Sequence, residues 1–99
     1  MVFFEKHISN INSLCRAHKV KHLDAFGSVL KETFNAESDL DLVVDFEPMD
    51  LAQYADNYYA FKFSLEKIFK RNIDLLEEKA IKNPYFRKSL DVQKRSIYG

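Results

Sequence analysis

The sequence predicts a mixed α/β fold, in which a small mixed β-sheet is flanked by helices. Two kinds of apolar periodicity indicate this class. Some segments alternate apolar and polar residues as strands do, and others repeat apolar residues every three or four positions as helices do. The chain has 99 residues, of which 46% are hydrophobic. This size and composition predict a single globular domain over residues 1–99.

Three strands are predicted. The clearest covers residues 39–46, where acidic residues alternate with apolar ones until Pro48 ends the segment. Two more are expected at Val20–Phe26 and at Asn72–Leu76. In the clearest strand, one face holds Leu40, Leu42, Val44 and Phe46, and the other holds Asp39, Asp41, Val43 and Asp45.

Three amphipathic helices are predicted around these strands. The first is N-terminal. The second runs from the N-cap Asp50 to about Lys70, and the third begins at the N-cap Asn83 with Pro84 at its first position. Their predicted buried faces comprise Phe4, Ile8, Ile11 and Cys15 in the first helix, Leu51, Ala55, Tyr58, Phe61, Leu65 and Ile68 in the second, and Phe86, Leu90 and Ile97 in the third.

The second helix has more apolar surface than one sheet face needs. Tyr59 and Phe63 form an additional stripe, offset from the first. We expect part of this excess, around Tyr54, Tyr59 and Phe63, to contact another protein chain. The alternative is that the first and last helices cover these rings within the monomer.

Composition and charge exclude several functional classes. Lys and Arg together number 15, and Asp and Glu together also number 15. The chain therefore lacks the basic excess typical of DNA-binding proteins. Cys15 is the single cysteine, which excludes an intrachain disulfide and a thiolate metal cluster. No stretch approaches the ~20 apolar residues of a membrane span, and the charged N-terminus does not resemble a signal peptide. We therefore expect a cytoplasmic protein.

One constellation of residues indicates chemistry. A Gly27-Ser28 turn ends the first strand, and ten residues separate Ser28 from Asp39. Asp39 and Asp41 lie two residues apart on one strand face, with Cα atoms ~6.5 Å apart, so their oxygens can converge on one or two divalent cations. Mg²⁺ prefers such oxygen ligands. Asp74 could add a third carboxylate if its strand pairs beside theirs.

Simpler interpretations exist for the same residues. An acidic strand face is usually a solvated one, although the spacing from the Gly-Ser turn favours a site here. His18 and His22 are interpreted as surface residues, and Cys15 as a small buried hydrophobe. The basic residues Lys67, Lys70 and Arg71 are interpreted as solvated charge.

The pattern Phe26-Gly27-Ser28-x(10)-Asp39-x-Asp41-Leu42-Val43-Val44, with Asp74 downstream, resembles the nucleotidyltransferase superfamily that includes DNA polymerase beta. From about Asn10 to Tyr98 the chain looks most like the minimal nucleotidyltransferases, or MNT proteins. The resemblance implies that Gly27 and Ser28 hold nucleotide phosphates. It also implies that Asp39, Asp41 and Asp74 bind two Mg²⁺ ions and that Asp74 helps to activate the acceptor hydroxyl.

The turn after Ser28 departs from the pattern of that family. Many members have a small residue followed by Arg-Gly there, whereas this chain has Val29-Leu30-Lys31-Glu32. Lys31 could supply the positive charge for a nucleotide, although as a flexible point charge. Glu32 would bring negative charge near the phosphates.

The resemblance also implies a partner and a reaction. Many MNT proteins are antitoxins encoded beside a HEPN-domain ribonuclease toxin, and those studied transfer AMP from ATP to a tyrosine of that toxin. We therefore expect ATP as the substrate and a hetero-oligomer with a HEPN toxin. Two alternatives stay open: a non-catalytic antitoxin that inhibits by binding alone, and a transferase acting on a small molecule or on RNA ends.

Overall fold

Four strands form one mixed β-sheet in the computed structural model, which describes residues 2–31 and 34–99. Short 3-10 turns follow the first and third strands, at Gly27–Leu30 and Glu78–Ala80. In chain order the helices and strands are α1 (Val2–Glu5), α2 (Ile8–Ala17), β1 (Val20–Phe26), β2 (Leu40–Phe46), α3 (Leu51–Phe69), β3 (Ile73–Glu77), α4 (Pro84–Gln93) and β4 (Arg95–Tyr98).

The strand order in the sheet is β3-β2-β1-β4. Strand β1 is antiparallel to both of its neighbours, β2 and β4. Strands β2 and β3 are parallel, so the chain must cross over between them, and α3 makes this connection. The mixed sheet flanked by helices confirms the predicted fold class.

One face of the sheet forms the main core with the first three helices. Helix α2 contributes Ile11 and Cys15, both fully buried, and α3 contributes Phe61 and Leu65. The predicted alternation of β2 is confirmed, because its apolar side chains are buried on this face. These side chains are Leu40, Leu42, Val44 and Phe46.

Helix α4 packs on the opposite face, which is the face of the acidic residues. Leu90 of α4 and Val43 of β2 are both buried. Phe86, predicted on the buried face of this helix, is instead 40% exposed, although its ring contacts that of Phe26 with 6.3 Å between centroids. The start of α4 agrees with the prediction: Oδ1 of Asn83 accepts hydrogen bonds from two backbone N–H groups of the first turn, at 2.9 and 3.2 Å.

The helix predictions need three corrections. The predicted first helix is divided into α1 and α2 by a turn, and Ile8 is exposed. Leu51 and Ala55 are exposed: the buried residues of α3 all lie in its second half, and in its first half Tyr54 and Tyr58 pack half-buried against the core. The N-cap position of Asp50 is right, but its carbonyl, not its side chain, accepts hydrogen bonds from the first turn.

The end of the chain also differs from the prediction. Ile97 lies on β4 and not on the last helix, which ends at Gln93. Lys94 has extended backbone angles, and the following residues pair with β1. Four residues are too few to indicate a strand by their own periodicity, so this element depends on its partner strand.

Across residues 2–31 and 34–99, no helix combines the length and hydropathy that a membrane span requires.

Candidate active site

Three aspartates lie on the same side of the two neighbouring strands β2 and β3. Asp41 and Asp74 are direct register partners, and residues paired in parallel strands project to the same face. Asp39 precedes Asp41 by two residues at the entrance to β2 and therefore lies toward that face as well. Strand β3 thus pairs beside β2, which is the condition under which the sequence predicts Asp74 to add a third carboxylate.

The turn after β1 brings backbone close to the central aspartate. Gly27 has a φ of +70°, a left-handed conformation that side-chain-bearing residues rarely adopt. A β-carbon at this position would lie 2.5 Å from Oδ2 of Asp41, which is too close for any real contact. The backbone conformation therefore favours glycine here, and a β-carbon would in addition force the Asp41 carboxylate to move.

Ser28 joins the turn to Asp39 and to Asp41. Its hydroxyl donates a hydrogen bond of 2.9 Å to the backbone carbonyl of Asp39. Its backbone hydrogen-bonds to the side chain of Asp41. The hydroxyl that was predicted to face nucleotide phosphates thus holds the backbone beside Asp39 in this structure, and its phosphate role stays a prediction.

The Asp41 carboxyl group has a pKa raised above its ordinary value. Partial burial is the largest cause, and the negative charges of Asp74 and Asp39 raise the pKa further. The hydrogen bond from Ser28 and the positive charge of Lys31 act in the opposite direction. Asp74 and Asp39 are therefore each close enough to Asp41 for their charges to act on it.

Lys31 is exposed at the end of the turn, and its positive charge acts to lower the pKa of the Asp41 carboxyl group. Its backbone N–H donates to the carbonyl of Ser28 at 3.0 Å, which fixes the course of the turn. Glu32, whose negative charge is predicted to lie near the phosphates, is outside the residues that the structure describes.

The described residues contain no preassembled metal centre: within 2–31 and 34–99, no three His, Cys, Asp or Glu side chains are already grouped to hold an ion. The donor set still fits Mg²⁺, because carboxylate oxygens are its usual protein ligands. Asp39 and Asp74 are exposed, so rotation of their side chains can bring them toward Asp41 without disturbing the core. A cation would also relieve the repulsion at Asp41.

The simpler interpretations of the remaining residues have mixed outcomes. Cys15 is fully buried, and burial raises the pKa of its thiol to about 12, so the prediction of an inert core cysteine is confirmed. His22 is exposed as predicted. The surface prediction is wrong for His18, which is half-buried, hydrogen-bonds through Nδ1 to the carbonyl of Leu14 at 2.9 Å and contacts the ring of Phe61.

A charged cluster that sequence reasoning missed connects α4 to the sheet. Arg87 forms ion pairs with Glu78 at 2.6 Å and with Asp91 at 2.9 Å. Lys94 lies 3.3 Å from Asp91, 3.9 Å from Glu78 and 4.0 Å from the buried carboxylate of Asp24. The i,i+4 spacing of Arg87 and Asp91 indicates their pair, but the contacts with Glu78 and Asp24 require the tertiary fold.

Residues 9–97 match the family of the nucleotidyltransferase domain. The match covers almost the whole chain and includes all three aspartates and the Gly27-Ser28 turn. The chain belongs to this family. The predicted resemblance is thereby confirmed.

Relatives of this nucleotidyltransferase domain occur in Methanocaldococcus jannaschii. "Putative protein adenylyltransferase MJ1379" is 32% identical over 94 residues, and the alignment covers 87% of this chain and 93% of that protein. A second protein of the same description, MJ1217, is 31% identical over 97 residues with the same two coverages.

Solved structures share the fold of this nucleotidyltransferase domain. A "putative minimal nucleotidyltransferase" has a TM-score of 0.75 and 25% identity, over 93% of this chain and 90% of that one. A toxin–antitoxin structure with AMP-PNP has a TM-score of 0.70 and 19% identity, over 93% and 73%. A complex of a tri-AMPylated Shewanella oneidensis HEPN toxin with its MNT antitoxin has a TM-score of 0.65 and 16% identity, over 96% and 71%.

Proposed function

We propose that this chain is a protein adenylyltransferase antitoxin, which transfers AMP from ATP to a tyrosine hydroxyl of a HEPN ribonuclease toxin. The observation that carries the proposal is the register pairing of Asp41 with Asp74 beside the Gly27-Ser28 turn, in a chain of the nucleotidyltransferase family. The names of the M. jannaschii relatives support protein adenylylation. The antitoxin complexes of the same fold support the HEPN partner.

In the proposed reaction, the tyrosine oxygen attacks the α-phosphorus of ATP and the bond to pyrophosphate breaks. Asp74 accepts the proton of the attacking hydroxyl, since it is exposed on the outer strand of the site and open to an incoming protein. The Gly27-Ser28 turn and Lys31 bind the nucleotide phosphates, because the backbone there can approach an anion closely.

We propose further that the reaction depends on Mg²⁺ held by Asp39, Asp41 and Asp74. When bound, the metal supplies charge stabilisation for the phosphates and the pyrophosphate leaving group. The observation that supports this part is the register pairing of Asp41 with Asp74, beside Asp39, where the charges of the two neighbouring carboxylates raise the pKa of Asp41. A cytoplasmic location is proposed as well, because ATP is available there and the single cysteine, Cys15, is buried and unpaired.

A second candidate function is inhibition of the toxin by binding alone. The observation that favours it is the turn Val29-Leu30-Lys31, which provides a lysine where many family members have an arginine. A lysine binds phosphate as a point charge and lacks the planar fork of arginine, so nucleotide affinity could be reduced.

The decisive experiment is label transfer from α-³²P-ATP to a co-expressed HEPN toxin in the presence of Mg²⁺. We expect the wild-type chain to label the toxin and an Asp39→Ala/Asp41→Ala double variant to give no label. Asp45→Asn is the matched control, because Asp45 lies on the same face of β2 but pairs with Lys79 at 3.5 Å. Unchanged labelling by the double variant would contradict the site, and toxin neutralisation without any label would favour binding alone.

A further inference from the structure

Arg71 lies between the two chain segments that supply the aspartates of the site. It follows Lys70, the left-handed residue that ends α3, and comes three positions before Asp74. Its Nη1 donates hydrogen bonds to two backbone carbonyls, those of Asn35 at 3.1 Å and Ser38 at 3.0 Å. Both carbonyls belong to the loop that leads into Asp39, so one side chain connects the Asp39 loop to the start of β3.

Two aromatic rings hold the guanidinium group in place. Its central carbon lies 5.0 Å from the ring centroid of Phe3 and 4.8 Å from that of Phe34. Phe3 stacks on Phe69 of the buried core with 5.5 Å between centroids. Arg71 is therefore anchored to the core on one side and to the Asp39 loop, through Phe34, on the other.

The peptide groups next to Asp39 are restrained from both sides. The carbonyl of Ser38 accepts from Arg71, and the carbonyl of Asp39 itself accepts from the hydroxyl of Ser28 at 2.9 Å. The next amide, that of Leu40, donates to the carbonyl of Asn72 at 3.2 Å. Three consecutive residues thus make contacts that fix the backbone from which the Asp39 side chain leaves, although that side chain is exposed.

We propose that Arg71 is a positioning residue of the transfer reaction, which fixes the backbone that carries the Asp39 side chain relative to Asp41 and Asp74. The inference rests on the proposed function. Arginine suits this task because its planar fork can bond two carbonyls while its faces contact aromatic rings. A lysine would keep the charge near Phe3 and Phe34 but lacks the fixed geometry of the donors.

Groups that orient metal ligands typically contribute 10–100-fold to metal affinity or activity. For Arg71→Gln we expect about a 10-fold higher Mg²⁺ concentration at half-maximal transfer, and for Arg71→Lys an intermediate shift. The KM for ATP should change less than twofold, because the Gly27-Ser28 turn is untouched. Arg95→Gln is the matched control: Arg95 also donates to two backbone carbonyls, of Gln93 and Lys94 at 2.9 and 3.1 Å, but on β4.

A second readout is independent of metal and of catalysis. Amide hydrogen exchange in the metal-free protein should be at least about 10-fold faster at residues 35–40 in Arg71→Gln, where Ser38 and Leu40 donate backbone hydrogen bonds. The amides of β1 and those of β2 after Leu40 should keep their wild-type rates. Phe34→Leu provides a test if Arg71→Gln fails to fold, since it removes one ring and leaves the arginine, and it should accelerate exchange in the same residues.

The outcomes separate the two proposals. Wild-type exchange rates at residues 35–40 in both Arg71→Gln and Phe34→Leu would overturn the role of Arg71. Equal acceleration of exchange throughout the sheet would overturn it too, because that result indicates only a structural role. An unchanged Mg²⁺ requirement in Arg71→Gln would overturn it as well. A wild-type chain that labels no toxin would instead contradict the proposed function, and the exchange experiment would still report whether Arg71 orders the Asp39 loop.

Discussion

Asp41 and Asp74 are register partners on adjacent parallel strands, so two carboxylates leave the same face of the sheet side by side. Neighbouring strands lie only ~4.8 Å apart, and like charges at that separation repel. Burial and the charge of Asp74 both raise the pKa of Asp41. The fold therefore keeps an arrangement that destabilises the metal-free protein, which is expected of a site built for function.

Asp41→Asn should stabilise the metal-free protein at neutral pH while abolishing transfer. The substitution removes the repelled charge but keeps the shape of the side chain. We expect the melting temperature to rise by about 2–4 °C, which corresponds to about 0.5 kcal/mol in a domain of this size. Calorimetry in EDTA would measure it, with Asp45→Asn as the control, and a lowered melting temperature would contradict the prediction.

The gain from Asp41→Asn should depend on pH in a defined direction. A carboxyl group whose pKa is raised by folding contributes stability that is fully present below its unfolded pKa of ~3.9 and is lost as pH rises through the folded pKa. The wild type should therefore lose stability relative to Asp41→Asn from about pH 4 upward, until the carboxyl group is fully ionised. A difference in melting temperature that is constant from pH 4 to 8 would show that the Asp41 charge is not its cause.

Mg²⁺ should stabilise the wild-type chain and not the Asp41→Asn variant. A ligand that binds only the folded state raises the free energy of unfolding by RT ln(1 + [L]/Kd), about 2.7 kcal/mol at 100 times Kd. Melting curves with and without millimolar Mg²⁺ would measure the shift. Equal shifts in the two proteins would indicate that the ion binds elsewhere.

Gly27→Ala should destabilise the protein and reduce transfer, since the new β-carbon meets Oδ2 of Asp41 at 2.5 Å and the φ of +70° is strained for alanine. The strain alone is of order 1–2 kcal/mol. Asp41→Ala provides the test of cause, because it removes the clashing oxygen. In that background Gly27→Ala should cost clearly less, and strictly additive melting shifts would contradict the close approach.

Asp74→Asn should reduce the rate of transfer far more than the affinity for ATP. A residue that accepts a proton in the transition state contributes typically 10²–10⁴-fold. Single-turnover kinetics would measure the rate and calorimetric titration the affinity. Weakened ATP binding with an unchanged rate would show that Asp74 has a different role.

Local patterns are sufficient for the elements that form the core. Strand β2 was predictable because the side of each residue in a strand follows from its position, so the burial of Leu40 and Leu42 opposite Asp41 could be inferred from alternation. Strand β4 could not, since it forms only by pairing with β1. The exposure of Leu51 and Ala55 in α3 was missed because periodicity gives the buried side of a helix but not how closely each turn approaches the sheet.

The same distinction applies to the site. The positions of Asp39 and Asp41 relative to one another follow from their i,i+2 spacing on one strand. The pairing of Asp41 with Asp74 depends on the register of two strands joined through a long helix. The interpretation of Arg71 as solvated charge is wrong, because its side chain is half-buried between aromatic rings. Its role could not be predicted, since its hydrogen-bond partners are backbone carbonyls 33 and 36 residues away, and any residue type provides a carbonyl.

The exposed aromatic pair on α3 bears on the proposed interface with a HEPN toxin. Tyr59 and Phe63 are 52% and 53% exposed, and their rings stack with 5.9 Å between centroids. The alternative that the other helices cover them is therefore wrong. Tyr54, predicted with them, is instead half-buried and contacts Phe46 with 5.6 Å between ring centroids.

We expect Tyr59→Glu/Phe63→Glu to stay folded and to lose binding to the HEPN toxin. Two half-exposed rings contribute little to the core, so the melting temperature should change by less than about 5 °C. Binding should change more, because aromatic anchors at an interface typically contribute ~2 kcal/mol or more to it. Leu51→Glu is the matched control, because Leu51 is 86% exposed on the same helix. Calorimetric titration with the purified toxin would measure the affinity. Wild-type affinity in the double variant would exclude this surface from the interface, and a collapsed melting temperature would show that the two rings stabilise the monomer instead.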